Sequence, residues 1–174
     1  YKLNKKYKNI VIALPQLAEH DILSWKDHWV EIDFLVSVAC EKGQNVLLSL
    51  HPKMDLDKYI FLEEKYNCRI LSERLIQVLP VSDMFIATYS STVIWSTLCG
   101  IKTIVVDFYN LNCAIFTHLE SITLVKEKEF FSESIDRLIN NKVDYESDWK
   151  ALSRKNVFNG LVIEKYLKMI DKLG

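Results

Sequence analysis

The sequence has little glycine and little proline, 4 and 3 residues out of 174. Four glycines cannot build a glycine-rich phosphate cradle, and neither G-x-x-x-x-G-K-[ST] nor G-x-G-x-x-G occurs in the chain. The common ATP-binding and dinucleotide-binding loops are therefore excluded. Nor is there an excess of charge: 22 Lys and Arg stand against 23 Asp and Glu, a formal net charge of -1. No overall field favours nucleic acid or an anionic membrane. The lysine-rich opening, YKLNKKYKN, reads as a solvated leader. No apolar run approaches the roughly 18 residues of a membrane span, and no secretory signal opens the chain. The first residue is Tyr1 rather than Met, so a processed chain or one domain of a longer protein is expected. The four cysteines, Cys40, Cys68, Cys99 and Cys113, form no C-x-x-C pair and have apolar neighbours. They are expected to be reduced core residues of a cytoplasmic protein. His20, His28, His51 and His118 lack ligand spacing, so no metal site is expected.

Hydrophobic residues make up 49% of the chain, enough for one domain, residues 1–174, with a real core. Short β-branched apolar runs alternate with helical patterns. NIVIAL, NVLLSL, CRIL, DMFIATY and KTIVVDF read as strands. DHWVEIDFLVSVACEKG reads as a helix, with Trp29, Ile32, Phe34, Leu35 and Val38 approximating its apolar face and Gly43 as its C-cap. DLDKYIFLEEKYN, SERLIQVLP and TVIWSTLCG read as shorter helices. SITLV is a weak edge strand, and the tail from EFFSESIDRLINN onward is helical. Apolar strands of this length suit a parallel sheet covered on both faces. The expected fold is a doubly wound, Rossmann-like α/β domain with a helical C-terminal end.

In such sheets ligands bind beyond the carboxyl ends of the strands. The residues following the strands are therefore the candidates for chemistry. Pro15 to Asp21 follows the first, with Gln16 and the titratable Glu19, His20 and Asp21. His51-Pro52-Lys53 follows the second, Ser72-Glu73-Arg74 the third. Tyr89-Ser90-Ser91-Thr92 follows the fourth, and Asp107-Phe108-Tyr109-Asn110 the fifth. A helix starting at Ser91 or Thr92 leaves its first backbone N–H groups unpaired. One hydroxyl would cap it. Three hydroxyls after a buried strand lean toward a phosphate held at the positive end of the helix. His51, stiffened by Pro52, could donate to a phosphate oxygen or act as acid or base. Glu73, in the first turn of a short helix, either complements its dipole or contacts a ribose or base. Asp107 either bonds a sugar hydroxyl or caps the next turn.

LLSLHPK followed by SDMFIATYSSTVIWSTLCGIKTIVVDF resembles the C-terminal, nucleotide-sugar-binding half of GT-B-fold enzymes. The likeness covers about Ile10 to Phe108. Its carriers are a His-Pro after a strand, then a Tyr-Ser-Ser turn leading through a helix to Gly100, Lys102 and the next strand. Bacterial surface-polysaccharide glycosyltransferases, sialyltransferases with His-Pro and Ser-Ser motifs, teichoic-acid glycerophosphotransferases and UDP-N-acetylglucosamine 2-epimerases share this layout.

The resemblance implies that His51, Pro52, Tyr89, Ser90, Ser91 and Thr92 surround the nucleotide's phosphates, with His51 assisting departure of the nucleotide. Glu73 would lie near the base, and Gln16 and Asp107 near the sugar. The ligand would be a nucleotide-activated sugar as substrate, with no separate cofactor and no metal. An N-terminal acceptor domain would complete the enzyme, and any membrane contact would be peripheral. Two departures stand out. Many UDP-sugar enzymes carry a ribose-gripping Glu where this chain reads Val93-Ile94-Trp95-Ser96. The epimerases also set a glycine beside the serine. Both departures shift the expected donor toward a CMP- or CDP-linked one. The function expected is donor binding in a glycosyltransferase of bacterial surface-polysaccharide synthesis. The alternatives are a sugar-nucleotide epimerase or hydrolase, and a non-catalytic nucleotide-binding α/β domain.

Overall fold

A computed structural model describes residues 9–42, 45–111 and 118–154. Six parallel strands form one sheet: β1 (Asn9–Ala13), β2 (Asn45–Ser49), β3 (Arg69–Ile70), β4 (Met84–Ala87), β5 (Lys102–Val106) and β6 (Ile122–Val125). Their order across the sheet is β3-β2-β1-β4-β5-β6, with β1 paired to both β2 and β4. The helices are α1 (Trp25–Lys42), α2 (Phe61–Tyr66), α3 (Leu75–Val78), α4 (Thr92–Leu98), α5 (Phe131–Asn140) and α6 (Tyr145–Arg154).

The sheet is buried on both faces because the central strands are apolar at nearly every position, Ile10 to Ala13 in β1 and Met84 to Ala87 in β4. Side chains alternate across a strand, and the alternation sorts the core into two clusters. Ile10 and Ile12, Met84 and Ile86, and Ile104 and Val106 join Ile32 and Leu35 of α1, Leu62 of α2 and Ile135 of α5. Val11, Phe85, Ala87 and Val105 face the other way, onto Val78 of α3, Val93 of α4 and Leu152 of α6. Each large side chain so enclosed contributes roughly 1.5–3 kcal/mol. The doubly wound α/β reading of the sequence is what the sheet shows.

Local differences have local causes. The buried stripe of α1 is His28, Ile32, Leu35, Val36 and Ala39, while Trp29, Phe34 and Val38 are only half-buried at its edge. The single helix expected over DLDKYIFLEEKYN is broken. Asp55 accepts the Asp57 N–H and starts a separate 3₁₀ turn at Leu56–Lys58, before α2 begins at Phe61. An Asp side chain that bonds nearby backbone competes with helix continuation in this way. Gly100 closes α4 with φ +70, the left-handed conformation that glycine adopts at no steric cost. SITLV is strand β6, parallel to β5. Gly43, Cys113 and the final segment VIEKYLKMIDKL lie outside the described residues, and Cys40, Cys68 and Cys99 are free thiols.

Candidate functional site

Strand order reverses between β1 and β4. The chain leaves β1 toward β2 and β3 on one side, then returns to place β4 on the other. The connections therefore diverge above β1 and β4 and leave a crevice between them. A cleft of about 820 Å3 lies there. Gln16 and His20 after β1, His51 and Pro52 after β2, and Ser72, Glu73 and Arg74 after β3 line it. Thr88 to Thr92 after β4 complete the wall. The volume suits a small-molecule ligand. Four of the five strand-end segments named from the sequence thus meet.

Asp107 is not among the lining residues. Its side chain is 4% exposed, and Oδ1 accepts the Leu111 N–H at 2.7 Å, so it caps the turn after β5.

The loop after β1 is tightly wound. Ile22 and Leu23 both donate their N–H to the Leu17 carbonyl, and Leu17 is fully buried. Beneath it, Tyr59 Oη donates to Glu19 Oε1 at 2.7 Å and accepts from His28 Nε2 at 2.9 Å. Glu19 Oε2 and His28 Nδ1 are buried without a partner among the described residues. Burial lowers the His28 pKa, partly offset by the Glu19 charge. Burial, then the hydrogen bond to Glu19, raises that of Tyr59. His28 is therefore a neutral ring that donates through Nε2. None of the three lines the cleft. Across the cleft mouth, His20 Nδ1 and Tyr89 Oη lie 3.1 Å apart and join the loop after β1 to the loop after β4.

His51 is held by its own turn. Its Nδ1 accepts the Lys53 N–H at 3.2 Å, and its backbone N–H points to Met54 Sδ at 3.2 Å. With Nδ1 occupied as acceptor, the neutral ring carries its proton on Nε2. That leaves an N–H donor on an exposed ring in the cleft wall. Hydrogen-bond donation to an anion fits this arrangement better than proton transfer. Protonating Nδ1 would set a second N–H against that of Lys53.

The three hydroxyls divide their tasks. Ser90 Oγ accepts the Thr92 N–H at 3.2 Å and lies 2.7 Å from Thr92 Oγ1. Ser91 holds the N-cap position of α4, but the side-chain cap bond comes from Ser90. Val93 and Ile94 donate their N–H to the carbonyls of Ser90 and Ser91. The unpaired N–H groups expected at the start of this helix are therefore already bonded at Thr92, Val93 and Ile94. Ser91 makes no side-chain cap, and it is exposed in the cleft wall.

Glu73 lies before α3 rather than in its first turn, because α3 begins at Leu75. Its carboxylate takes a hydrogen bond from Ser72 and sits 3.6 Å from Arg69. Hydrogen bonding to its own backbone N–H leads the causes that lower its pKa, with the Arg69 charge and Ser72 adding to it. Arg74 donates its backbone N–H to Gln77 Oε1, which caps α3.

Among the described residues no three His, Cys, Asp or Glu side chains converge as a metal site. No described helix is long and apolar enough to cross a membrane. Sequence reasoning did not single out Trp95, which is 40% exposed in the cleft wall. Its position one turn beyond Ser91 could have revealed it. Ser49 and Ile76, also in the lining, were likewise not singled out.

No protein-family model and no curated protein sequence matches the chain. Among solved structures it is similar to the Methanocaldococcus jannaschii UDP-GlcNAc 2-epimerase, whose crystal structure holds UDP-GlcNAc and UDP. The TM-score is 0.58 and the identity 12%, over 80% of this chain and 41% of that one. At that identity the likeness is one of fold. The chain has the Rossmann-like α/β fold of a GT-B-like protein and spans less than half the length of this neighbour.

Proposed function

We propose that the cleft binds a nucleotide-activated sugar, and that the chain is the donor-binding domain of a cytoplasmic glycosyltransferase in bacterial surface-polysaccharide synthesis. One observation carries this reading: at the switch point, the free His51 Nε2–H and the uncapped Ser91 hydroxyl line the same cleft. Both can donate to phosphate oxygens. In transfer, the bond from the sugar's anomeric carbon to the phosphate oxygen breaks and negative charge gathers on the departing nucleotide. His51 and Ser91 would stabilise that charge. Tyr89 and Thr88 shape the same wall, and Gln16 stands toward the sugar. An acceptor domain outside these residues would supply the base that activates the acceptor.

Calorimetric titration with CMP, CDP, UMP, UDP and GDP, without added metal, tests the reading. Binding of one nucleotide by the wild type, weakened in Ser91→Ala and in His51→Asn, is expected. No binding of any would refute it.

A second reading is a sugar-nucleotide epimerase, and the likeness to the UDP-GlcNAc 2-epimerase favours it. It calls for UDP as the preferred nucleotide, whereas the missing ribose-gripping acid in α4 speaks for a cytidine nucleotide. The same titration separates the two.

A further inference from the structure

We infer that Trp95 is the stacking platform of a nucleobase subsite, resting on the reading of the cleft as a nucleotide site. Trp95 lies four residues beyond Ser91 at the start of α4, so the two share a helix face. Both line the cleft. Among the described residues no ring stacks on the Trp95 indole, and no acceptor meets its N–H. A large aromatic face left bare inside a cleft is a surface waiting for a flat partner.

The surroundings specify that partner. The turn after α3, Leu79–Val81, packs against α4, and Val78 of α3 shares a core cluster with Val93 of α4. From α3, Leu75 and the 45% exposed Ile76 line the same cleft as Trp95. Leu75, Ile76 and Trp95 give the cleft apolar lining, whereas His51 and Ser91 give it donors. At 1.5 Å per residue, Trp95 is displaced from Ser91 by about 6 Å along the helix, roughly the span of one ribose. A phosphate held at Ser91 therefore sets a base over the indole. Ser72 and Arg74 line the cleft as well and offer hydrogen bonds to the base edge.

The test uses the full 174-residue chain. Dissociation constants are measured for inorganic pyrophosphate, CDP and UDP with the wild type, Trp95→Phe and Trp95→Ala. Stacking of one base on an aromatic ring corresponds to a loss of about ten-fold or more on alanine substitution. The expected result is that loss for CDP or UDP in Trp95→Ala, near-wild-type binding in Trp95→Phe, and unchanged pyrophosphate binding in all three. Quenching of tryptophan fluorescence by bound nucleotide should largely vanish in Trp95→Phe. Nucleotide binding that is equally tight in wild type and Trp95→Ala would overturn the role of Trp95 and leave the phosphate site standing. Binding of neither pyrophosphate nor nucleotide by the wild type would overturn both.

Discussion

The two loops that frame the switch point are built on opposite plans. The loop after β1 is held from beneath. Glu19 reaches down to Tyr59, Tyr59 to His28, and the loop's own carbonyls are used up in turns. The loop after β4 directs one hydroxyl inward, Ser90 onto Thr92, sets Tyr89 against His20, and leaves Ser91 exposed. One loop commits Glu19 to a buried network, whereas the other leaves the Ser91 hydroxyl exposed in the cleft. A binding site needs both. On the proposed reading, the rigid wall would fix where a ligand sits, and the open wall would carry the donors that hold it.

The largest effect should come from breaking the rigid wall. Tyr59 is fully buried at the junction of α1, the loop after β1 and the turn before α2. Tyr59→Ala should cost about 3–5 kcal/mol of stability, the range for emptying a large aromatic site. Tyr59→Phe keeps the packing but strands Glu19 and His28, and should cost about 1–3 kcal/mol. Urea unfolding checks both. If Tyr59→Phe proves neutral, the buried network does not hold the loop.

Acid loosens the same network without a mutation. Because burial depresses the His28 pKa, the unfolded chain takes up the proton first as pH falls below about 6.5. More protons bound in the unfolded state means stability that rises with pH. The contribution is therefore present above the unfolded value and is lost progressively below it. Urea midpoints at pH 7.5 and pH 5.5 should differ more for the wild type than for His28→Gln. Equal differences would show that His28 does not couple folding to pH.

On the open wall, Ser90→Ala should cost about 1 kcal/mol, the worth of a helix cap. The effect on ligand affinity should follow only from a looser start of α4. A Ser90→Ala variant of unchanged stability would transfer the cap to another residue.

Much of the frame could be read from the chain. β1, β2, β4 and β5 are continuous apolar runs, which strands buried on two faces require, and α1 shows its periodicity. Strand order could not be read, because it depends on pairings between distant segments. Of the five segments that the carboxyl-end rule nevertheless named without it, four line the cleft, all but the one after β5. Side-chain commitment was the illegible part. The pattern Ser-Ser-Thr does not reveal that Ser90 caps and Ser91 does not, since that depends on backbone angles at single residues. His28 entered the sequence reading only as a histidine without ligand spacing, and its burial shows only in the structure, where Tyr59 packs against it. Trp95 registered as a missing acid instead of a ring that is present. The two uses open to Asp107 were separated by geometry alone, through the Leu111 N–H.

The smallest effect on the fold should accompany the most specific effect on binding. Ser91 makes no side-chain cap and is exposed, so Ser91→Ala should leave stability within about 0.5 kcal/mol of wild type. A hydrogen bond to a charged phosphate is worth about 1.5–3 kcal/mol, so nucleotide affinity should nonetheless fall about ten-fold or more. Ser90→Ala supplies the contrast, with a clear stability loss and a weaker change in affinity. Measured together by urea unfolding and calorimetry, the two neighbouring serines should exchange their rank order between the two assays. If both variants lose stability and affinity in proportion, the hydroxyls act only through the helix they begin, and the division between a folding serine and a binding serine fails.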